Sequence, residues 1–496
     1  MARMPARMPG FSLITFGCQM NQHDSERIGE VLREAGYVEA SGPDSADIVV
    51  LNTCSVREKA EQKLRSEVGR VGLLKADNPD LVIAVAGCVA QEEGARLLKR
   101  LPQIDVLIGP DNIAELPSLL REAGHGGARQ VRTEFDLEAP RFLSARPEAR
   151  GVGATAFVTV MKGCNERCSF CIVPHTRGPE RYRPAREIVA EIERLVAAGV
   201  REVTLLGQTV NSYRDPEASL SPAEGAGLHP FAETPRVRAR DDESEFPALL
   251  RAIAERVPEL RRLRYTSPHP RHLTWSLILA HRDLPVLARH VHLPVQSGSD
   301  RVLKRMIRRY SVAEYRERVA RLQAEVPGTT LSTDVIVGFP GETAEDFAAT
   351  LELVRDVGFT GLFGFKYSER PHTPAQKLAD DVPEAEKSER LEQLFAVSDG
   401  IRQRHLASLV GSAEDVLIEG RSKNGAFSGR TRRHEIVHLP LDLDAVGEIV
   451  PVRITRAFKN SLEGEVDAAW LTAARTAPAR ERKRAFAERR ALPVVE

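Results

Sequence analysis

Two series of strand-like and helix-like segments alternate along most of this 496-residue chain. The first series contains four apolar runs of the kind found in buried strands, at residues 12–16, 47–51, 81–86 and 105–108. Helical patterns follow these runs at residues 25–35, 56–76, 90–100 and 112–123. Strands that alternate with helices form parallel sheets with helices on both faces. The first part of the chain is therefore predicted to be an α/β domain with a doubly wound parallel sheet.

The second series is longer and predicts another parallel architecture. Its strand candidates are residues 156–161, 202–206, 261–265, 290–293, 330–337 and 362–367. The helical patterns among them include residues 185–198, 246–256, 312–325 and 344–357. Six strand–helix units favour a curved, partial (β/α)6 barrel. Residues 215–245 interrupt the series, and their low apolar content predicts a surface insertion.

The last part of the chain is predicted to be a small β-barrel. After a helical stretch from residue 383 to 409, short alternating segments are separated by glycines and end near Leu471. This pattern is typical of a barrel of about five strands. The predicted domains are residues 1–125, 150–385 and 405–472, with a basic tail at 473–496 and a Gly- and Pro-rich linker at 124–153.

The overall charge does not indicate a partner, since 70 Lys and Arg residues balance 70 Asp and Glu residues. Any binding of nucleic acid must therefore depend on local patches. No apolar run reaches the roughly 18 residues that span a bilayer, and no secretory signal pattern opens the sequence. We expect a cytoplasmic protein without a membrane partner.

The six cysteines fall into two groups of three. Cys18 and Cys88 lie two residues, and Cys54 three residues, beyond the ends of predicted strands of the first series. Because the carboxyl ends of parallel strands share one edge of the sheet, where such sheets bind ligands, we expect these thiols to converge. The alternative is three unconnected buried cysteines.

The second group follows the first predicted strand of the partial barrel, as Cys164-Asn-Glu-Arg-Cys168-Ser-Phe-Cys171. Barrel active sites lie at this end of the strands. Three thiolates on a short loop bind three irons of a [4Fe–4S] cube and leave the fourth iron open to a chelating ligand. A zinc knuckle is the alternative, but no fourth ligand has suitable spacing, and His175 is the nearest candidate.

Polar residues and glycines follow further strands of the predicted barrel. Because they lie at successive strand ends, they favour a ligand site at that rim. The predicted cofactor-binding residues are Gln208, Asn211, Ser267, Gln296, Ser297, Gly338 and Gly341.

The motif at 164–171 closely resembles the radical S-adenosylmethionine enzymes, and nearly the whole chain resembles their methylthiotransferase family. The matching segments are Thr15-Phe-Gly-Cys-Gln-Met-Asn21, Asn52-Thr-Cys-Ser55, Thr176-Arg-Gly178 and Leu293-Pro-Val-Gln-Ser-Gly-Ser-Asp300. The resemblance implies two [4Fe–4S] clusters, one held by Cys18, Cys54 and Cys88 and the other by Cys164, Cys168 and Cys171. It further implies S-adenosylmethionine at the open iron of the second cluster, and a terminal TRAM barrel.

Within the family, the segment after Cys18 is similar to the subfamily that acts on N6-(dimethylallyl)adenosine at position 37 of tRNA. The resemblance implies methylthiolation of carbon 2 of that base with two S-adenosylmethionine molecules per product, one giving the methyl group and one the radical. It also implies recognition of the anticodon loop and an electron donor such as flavodoxin or ferredoxin, and we expect a monomer. Alternatives are another methylthiotransferase substrate (threonylcarbamoyl-adenosine tRNA or a ribosomal protein), a non-catalytic iron–sulfur RNA-binding protein, or a vestigial first triplet.

The small β-barrel is expected to hold RNA. The candidates for phosphate contacts are Arg421, Lys423, Arg430, Arg432 and Arg433. Phe427 and Phe458 are candidates for stacking on bases, although a packing role is favoured for both, since RNA contact is only one use of such a barrel.

Overall fold

The computed structural model describes residues 8–55, 58–124, 127–138, 140–146, 153–222, 244–422 and 425–476. The chain divides into two compact units. The first unit comprises residues 1–151, 161–181 and 368–373, and the second comprises 152–160, 182–367 and 374–496. Most of the predicted insertion and nearly all of the predicted basic tail lie outside the described residues. The predicted domain boundaries stay a prediction.

A six-stranded parallel sheet with helices on both faces forms the centre of the first unit. Its strands are β1 (Gly10–Phe16), β2 (Val38–Glu39), β3 (Ile48–Thr53), β4 (Val82–Gly87), β5 (Val106–Ile108) and β6 (Gln130–Arg132). Its helices are α1 (Gln19–Glu34), α2 (Glu58–Asp77), α3 (Cys88–Glu93), α4 (Ala95–Arg100) and α5 (Leu116–Ala123). The strand order is β2-β1-β3-β4-β5-β6. Val50 packs with Ile28 of α1 on one face, while Val49 packs with Leu64 of α2 on the other, so the predicted doubly wound sheet is confirmed.

Part of the predicted linker belongs to this sheet. Strand β6 lies within residues 124–153 and pairs with β5, and the amide of Gln130 donates to the carbonyl of Asp105 at 2.8 Å. The linker prediction was therefore wrong for β6. A three-residue edge strand with two polar residues has too little apolar alternation to be distinguished from a loop.

Six parallel strands of the second unit form the predicted partial barrel. They are β7 (Thr155–Thr159), β10 (Glu202–Leu206), β11 (Arg262–Tyr265), β12 (His290–His292), β13 (Thr330–Val337) and β14 (Gly361–Lys366), and the chain between β7 and β10 contains β8 (Met161–Lys162), α6 (Val173–Arg177) and β9 (Arg181–Tyr182). The helices are α7 (Ala185–Ala197), α8 (Phe246–Arg256), α9 (Trp275–Asp283), α10 (Asp300–Arg305), α11 (Val312–Glu325) and α12 (Ala344–Val357). Hydrogen bonds from Leu263 to Val286 and from Ala288 to Leu263 join the sheet β7-β10-β11 to the segment before the sheet β12-β13-β14. The predicted six-stranded partial barrel is confirmed.

A closed five-stranded β-barrel ends the second unit, as predicted. Its strands are β15 (Ala413–Arg421), β16 (Phe427–Arg430), β17 (Ile436–Leu439), β18 (Ile449–Ala457) and β19 (Leu462–Val466), and helices α13 (Glu384–Ser408) and α14 (Ala468–Thr476) flank it. Alternate strand residues, including Val416, Val437 and Val452, fill its core. Over the part of the chain that the structure describes, no helix is long and apolar enough to cross a membrane.

Candidate functional site

The first cysteine triplet lies at one edge of the six-stranded sheet. Cys18 follows β1 and caps α1, Cys54 follows β3 directly, and Cys88 is the first residue of α3 directly after β4. Strands β1, β3 and β4 are neighbours in the sheet. The predicted convergence of strand ends is therefore confirmed.

Two asparagines hold the loops that carry these thiols. The Sγ of Cys18 donates to Oδ1 of Asn21 at 3.3 Å, and Nδ2 of Asn21 donates to Oδ1 of Asn52 at 3.3 Å. Nδ2 of Asn52 donates to the carbonyl of Asn21 at 2.8 Å and to Oγ of Ser25 at 2.9 Å. Because a satisfied buried network fixes its members, these side chains position Cys18 and Cys54. The sequence analysis did not predict this role, although Asn21 lies three residues after Cys18 and Asn52 two residues before Cys54.

The thiols of this triplet differ in their electrostatic environment. A hydrogen bond with Cys54 lowers the pKa of Cys18 to about 6, against the opposing effect of burial, with help from Asn21 and the positive charge of Arg177. Burial raises the pKa of Cys88, and Arg177 opposes that rise. The thiolate is the form that binds metal. The triplet therefore already holds one thiol that ionises readily.

Two glycines allow the approach of the strand ends. Gly17 has φ +136°, and a Cβ there would lie 2.5 Å from Cβ of Cys54. Gly87 has φ +95°, and its Cβ would overlap Oδ1 of Asn52 and lie 2.5 Å from the carbonyl oxygen of Thr53. A side chain at either position is both strained and obstructed.

We expect Gly87→Ala to remove the first cluster without unfolding the protein. The new Cβ displaces Asn52 and so the loops before Cys54 and Cys88, which lowers the iron content of reconstituted protein from about eight to about four atoms per chain. Gly36→Ala is the matched control, because Gly36 has a similar φ of +89° but nothing within 4 Å of a Cβ. Equal iron contents in the two variants would contradict the prediction.

The second triplet lies on a loop whose base is closed by the backbone. The amide of Cys164 donates to the carbonyl of Gly178 at 3.1 Å, and a Cβ on Gly163 would overlap the carbonyl oxygen of Pro179. Within the loop, the amide of Cys171 donates to the carbonyl of Cys168 at 3.1 Å. This loop belongs to the same compact unit as the first triplet.

The donor set of both triplets fits [4Fe–4S] clusters. None of the six cysteines forms a disulfide, and four of them are buried. The first triplet offers three thiols at one edge of the sheet and the second offers three on a backbone-closed loop, so each matches three irons of a cube. Among the described residues, no group of three or more His, Cys, Asp and Glu side chains is arranged to hold a single metal ion. The assignment of each cysteine as a ligand stays a prediction.

The predicted cofactor-binding residues lie at strand ends of the partial barrel. Asn211 follows Gln208 after β10, and its side chain donates to the carbonyl of His269 at 3.0 Å and accepts from the His269 amide at 2.7 Å. Ser267 after β11 has φ +59°, and Gln296 after β12 has φ +71°. Left-handed backbone at residues other than glycine concentrates at ligand sites. Their contact with S-adenosylmethionine remains a prediction.

Other members of that set are engaged with the protein itself. Ser297 is fully buried, and its Oγ lies 3.4 Å from Oγ1 of Thr350. After β13, the amide of Gly338 donates to Glu342 at 2.6 Å, and the amide of Gly341 donates to Asp381 at 2.5 Å. These contacts shape the turn after β13, and they leave the cofactor role of the glycines untested.

An aromatic face on β14 was not predicted. Phe363 and Phe365 are 53% and 37% exposed and point to the same side of the strand, because residues two apart share a face. A Cβ on Gly364 would meet α13, so the two rings lie on the opposite side. His292 packs edge-on against Phe363 at 5.8 Å, and its Nε2 lies 3.4 Å from Oδ1 of Asp334. The barrel thus presents two exposed rings beside a polar pair.

Several basic candidates of the C-terminal barrel have internal partners. Arg430 pairs with Glu419 and Arg433 with Glu414, while Arg432 donates to the carbonyl of Leu287 at 3.2 Å. These pairings weaken the phosphate assignment for the three arginines. Lys423 lies outside the described residues.

The two aromatic candidates of that barrel differ. Phe427 is 1% exposed and lies in the core, below the guanidinium of Arg421 at 3.9 Å. Phe458 is 40% exposed, with Arg456 over its ring at 4.9 Å. The packing prediction is confirmed for Phe427 and wrong for Phe458, which leaves Phe458 available for stacking.

Comparison with known proteins agrees with this architecture. Residues 11–109 match the uncharacterized protein family UPF0004, residues 158–354 the Radical SAM superfamily, and residues 407–466 the TRAM domain. The radical S-adenosylmethionine methyltransferase TsrM from Kitasatospora setae, solved with cobalamin and a [4Fe-4S] cluster, is similar with a TM-score of 0.48 at 15% identity over 74% of each chain. The Radical SAM match and the cysteine loop define the class: a radical S-adenosylmethionine iron–sulfur enzyme.

Curated relatives identify the family. The tRNA-2-methylthio-N(6)-dimethylallyladenosine synthase of Sorangium cellulosum (strain So ce56) is 63% identical and aligns with 98% of this chain and 99% of its own length. That of Bordetella petrii is 45% identical over 91% and 90%. The chain belongs to the family of tRNA-2-methylthio-N(6)-dimethylallyladenosine synthases. The predicted resemblance is confirmed, and with it S-adenosylmethionine and [4Fe–4S] clusters as cofactors.

Proposed function

We propose that this enzyme attaches a methylthio group to carbon 2 of N6-(dimethylallyl)adenosine at position 37 of tRNA. The observation that carries the proposal is the presence of two cysteine triplets in one compact unit, in a chain whose relatives bear that activity in their names. One open cluster is enough to cleave S-adenosylmethionine, so a second implies a second task. Sulfur transfer is that task.

The residues have distinct roles in this proposal. Cys164, Cys168 and Cys171 hold the cluster that binds S-adenosylmethionine, and Cys18 and its two partners hold the other cluster. When bound, these cofactors supply the radical, the methyl group and the sulfur, with two S-adenosylmethionine molecules per product. The protein fixes the thiols through the Asn21 and Asn52 network and presents the barrel rim to the base. An anticodon-loop base is single-stranded, so presenting it is comparatively inexpensive.

The proposal includes the partners and the compartment. The substrate is tRNA, in agreement with the TRAM match, and the anticodon loop is the part that is bound. Reduction of a low-potential cluster needs a low-potential donor, so a flavodoxin or ferredoxin supplies the electrons. The enzyme acts in the cytoplasm as a monomer.

The proposal is tested by anaerobic reconstitution of the full-length protein. We expect about eight irons per chain, since each cube holds four. With dithionite, S-adenosylmethionine and tRNA carrying N6-(dimethylallyl)adenosine, nucleoside mass spectrometry should detect the 2-methylthio derivative. Formation of 5′-deoxyadenosine without modified tRNA would retain the radical enzyme but overturn the substrate. Product from threonylcarbamoyl-adenosine tRNA or a ribosomal protein instead would identify the alternative substrates.

The aromatic face of β14 gives a prediction about the substrate. The adenine ring is flat and its isopentenyl group is apolar, and base–aromatic stacking is worth about 1–3 kcal/mol. We expect Phe363→Ala to raise KM for tRNA about tenfold, while 5′-deoxyadenosine formation without tRNA is unchanged. Phe395→Ala is the control, because Phe395 is also exposed, at 39%, but lies on α13 behind the strand. Equal effects of the two substitutions would argue against this face as the substrate surface.

A further inference from the structure

A buried ion pair connects the cysteine loop of the second triplet to the helix of the first. Arg177 ends α6, which follows Cys171, and its Nη2 donates to Oδ2 of Asp24 at 2.6 Å. Asp24 lies on α1, the helix that Cys18 caps. The two side chains are 5% and 9% exposed. Burying a charge costs free energy unless the charge is paired, so the buried guanidinium of Arg177 depends on its pairing with Asp24.

Arg177 also faces the thiols of the first triplet. Helix α6 contacts α3, whose first residue is Cys88, and the positive charge of Arg177 lowers the pKa of both Cys88 and Cys18. Conversely, Asp24 and the two cysteines stabilise the charged guanidinium and raise the pKa of Arg177 despite its burial. Arg177 keeps the pKa of Asp24 at about 2, although burial opposes this. The guanidinium of Arg177 therefore interacts both with the carboxylate of Asp24 and with the thiols of the first triplet.

A second ionic contact also holds the segment that carries the cysteine loop. Asp111, after β5, accepts from Nζ of Lys162 at 3.0 Å and from Arg181. These cations flank the cysteine loop, but Asp111 is not among the main charges acting on Cys18 or Cys88. The position of the loop therefore does not depend on the pair of Arg177 with Asp24 alone.

We propose that Arg177 is a positioning residue for the first cluster, supplied by the loop of the second, and that its charge raises the reduction potential of the first cluster. This inference rests on the proposed ligation by Cys18, Cys54 and Cys88. Net charge and hydrogen bonds to sulfur are what set the potential of an iron–sulfur cluster. A guanidinium beside the ligands favours the reduced, more negative form, and Asp24 opposes it. Reduction of the first cluster is thereby linked to the correct placement of the loop that starts the radical reaction.

The test uses full-length protein in which Cys164, Cys168 and Cys171 are replaced by alanine, so that only the first cluster is observed. Its midpoint potential is measured by redox titration with electron paramagnetic resonance. We expect Arg177→Gln to shift the potential to more negative values, Asp24→Asn to shift it to more positive values, and Arg177→Lys to stay nearer the parent. A purely structural ion pair would not give opposite signs for its two halves.

Asp111→Asn is the matched control, because it removes another buried, paired carboxylate near the same loop. We expect its potential to stay close to that of the parent. Shifts of the same sign in Arg177→Gln and Asp24→Asn, or none in either, would overturn the inference while the cluster itself remains. If the Arg177→Gln variant holds no iron, the Asp24→Asn variant alone tests the inference. A midpoint potential of that variant at or below the parent's would then overturn it. A parent with less than about four irons would instead overturn the proposed ligation.

Discussion

Cys168→Ala is expected to abolish both the cleavage of S-adenosylmethionine and the methylthiolation of tRNA. Cys168 is buried in the loop between Cys164 and Cys171, and its carbonyl accepts from the Cys171 amide at 3.1 Å. Removal of one of three ligands leaves the cube with two, so the iron content should fall from about eight to about four atoms per chain. Neither 5′-deoxyadenosine nor 2-methylthio product should rise above background when both are measured in one reaction.

Cys54→Ala is the matched comparison, since Cys54 is also buried but belongs to the first triplet. It should lose the same amount of iron and all methylthio product, yet still release 5′-deoxyadenosine. The contrast separates two tasks that one assay of product cannot separate. If Cys54→Ala retained full methylthiolation, the first triplet would be vestigial, and if it also lost 5′-deoxyadenosine, the two clusters would not act separately.

The sequence predicted the elements that are apolar and long. Strand β13 begins at Thr330 and ends at Val337, as predicted, because its apolar run stops at Gly338. Helix α1 was predicted from Ser25 but begins at Gln19. Its first turns carry polar residues that are buried against the cysteine edge, Asn21 among them, so they lack the apolar periodicity that marks a helix facing a core.

In the candidate site, too, local patterns predict some features, while others depend on contacts between residues distant in sequence. The sequence predicted that Cys18, Cys54 and Cys88 converge, because local patterns identify the parallel strands and the carboxyl ends of such strands share one edge of the sheet. The pairing of Asp24 with Arg177 joins residues 153 apart in sequence, and a charged residue usually indicates a solvated surface. The left-handed backbone of Gln296 could not be predicted from local patterns either, and this residue forms a bridge to Val335, which is distant in sequence. Long-range burial decides both features.

Glu202→Ala is expected to lower the free energy of unfolding by about 3–5 kcal/mol, the cost of leaving buried charges unpaired. Glu202 begins β10 and accepts from Arg262 at 3.2 Å and from Arg264 at 2.9 Å. The same guanidiniums donate to the carbonyl of Thr431, each at 3.0 Å, and so reach the C-terminal β-barrel. Without the carboxylate, two cations remain buried at this junction. Urea unfolding monitored by circular dichroism measures the loss.

Glu193→Ala is the control for this substitution. Glu193 also pairs with an arginine, Arg256, at 3.7 Å, but both side chains are exposed. An exposed pair contributes less than about 1 kcal/mol, so the control should unfold close to the parent. Equal decreases in the free energy of unfolding of the two variants would show that burial does not increase the contribution of the Glu202 ion pairs to stability.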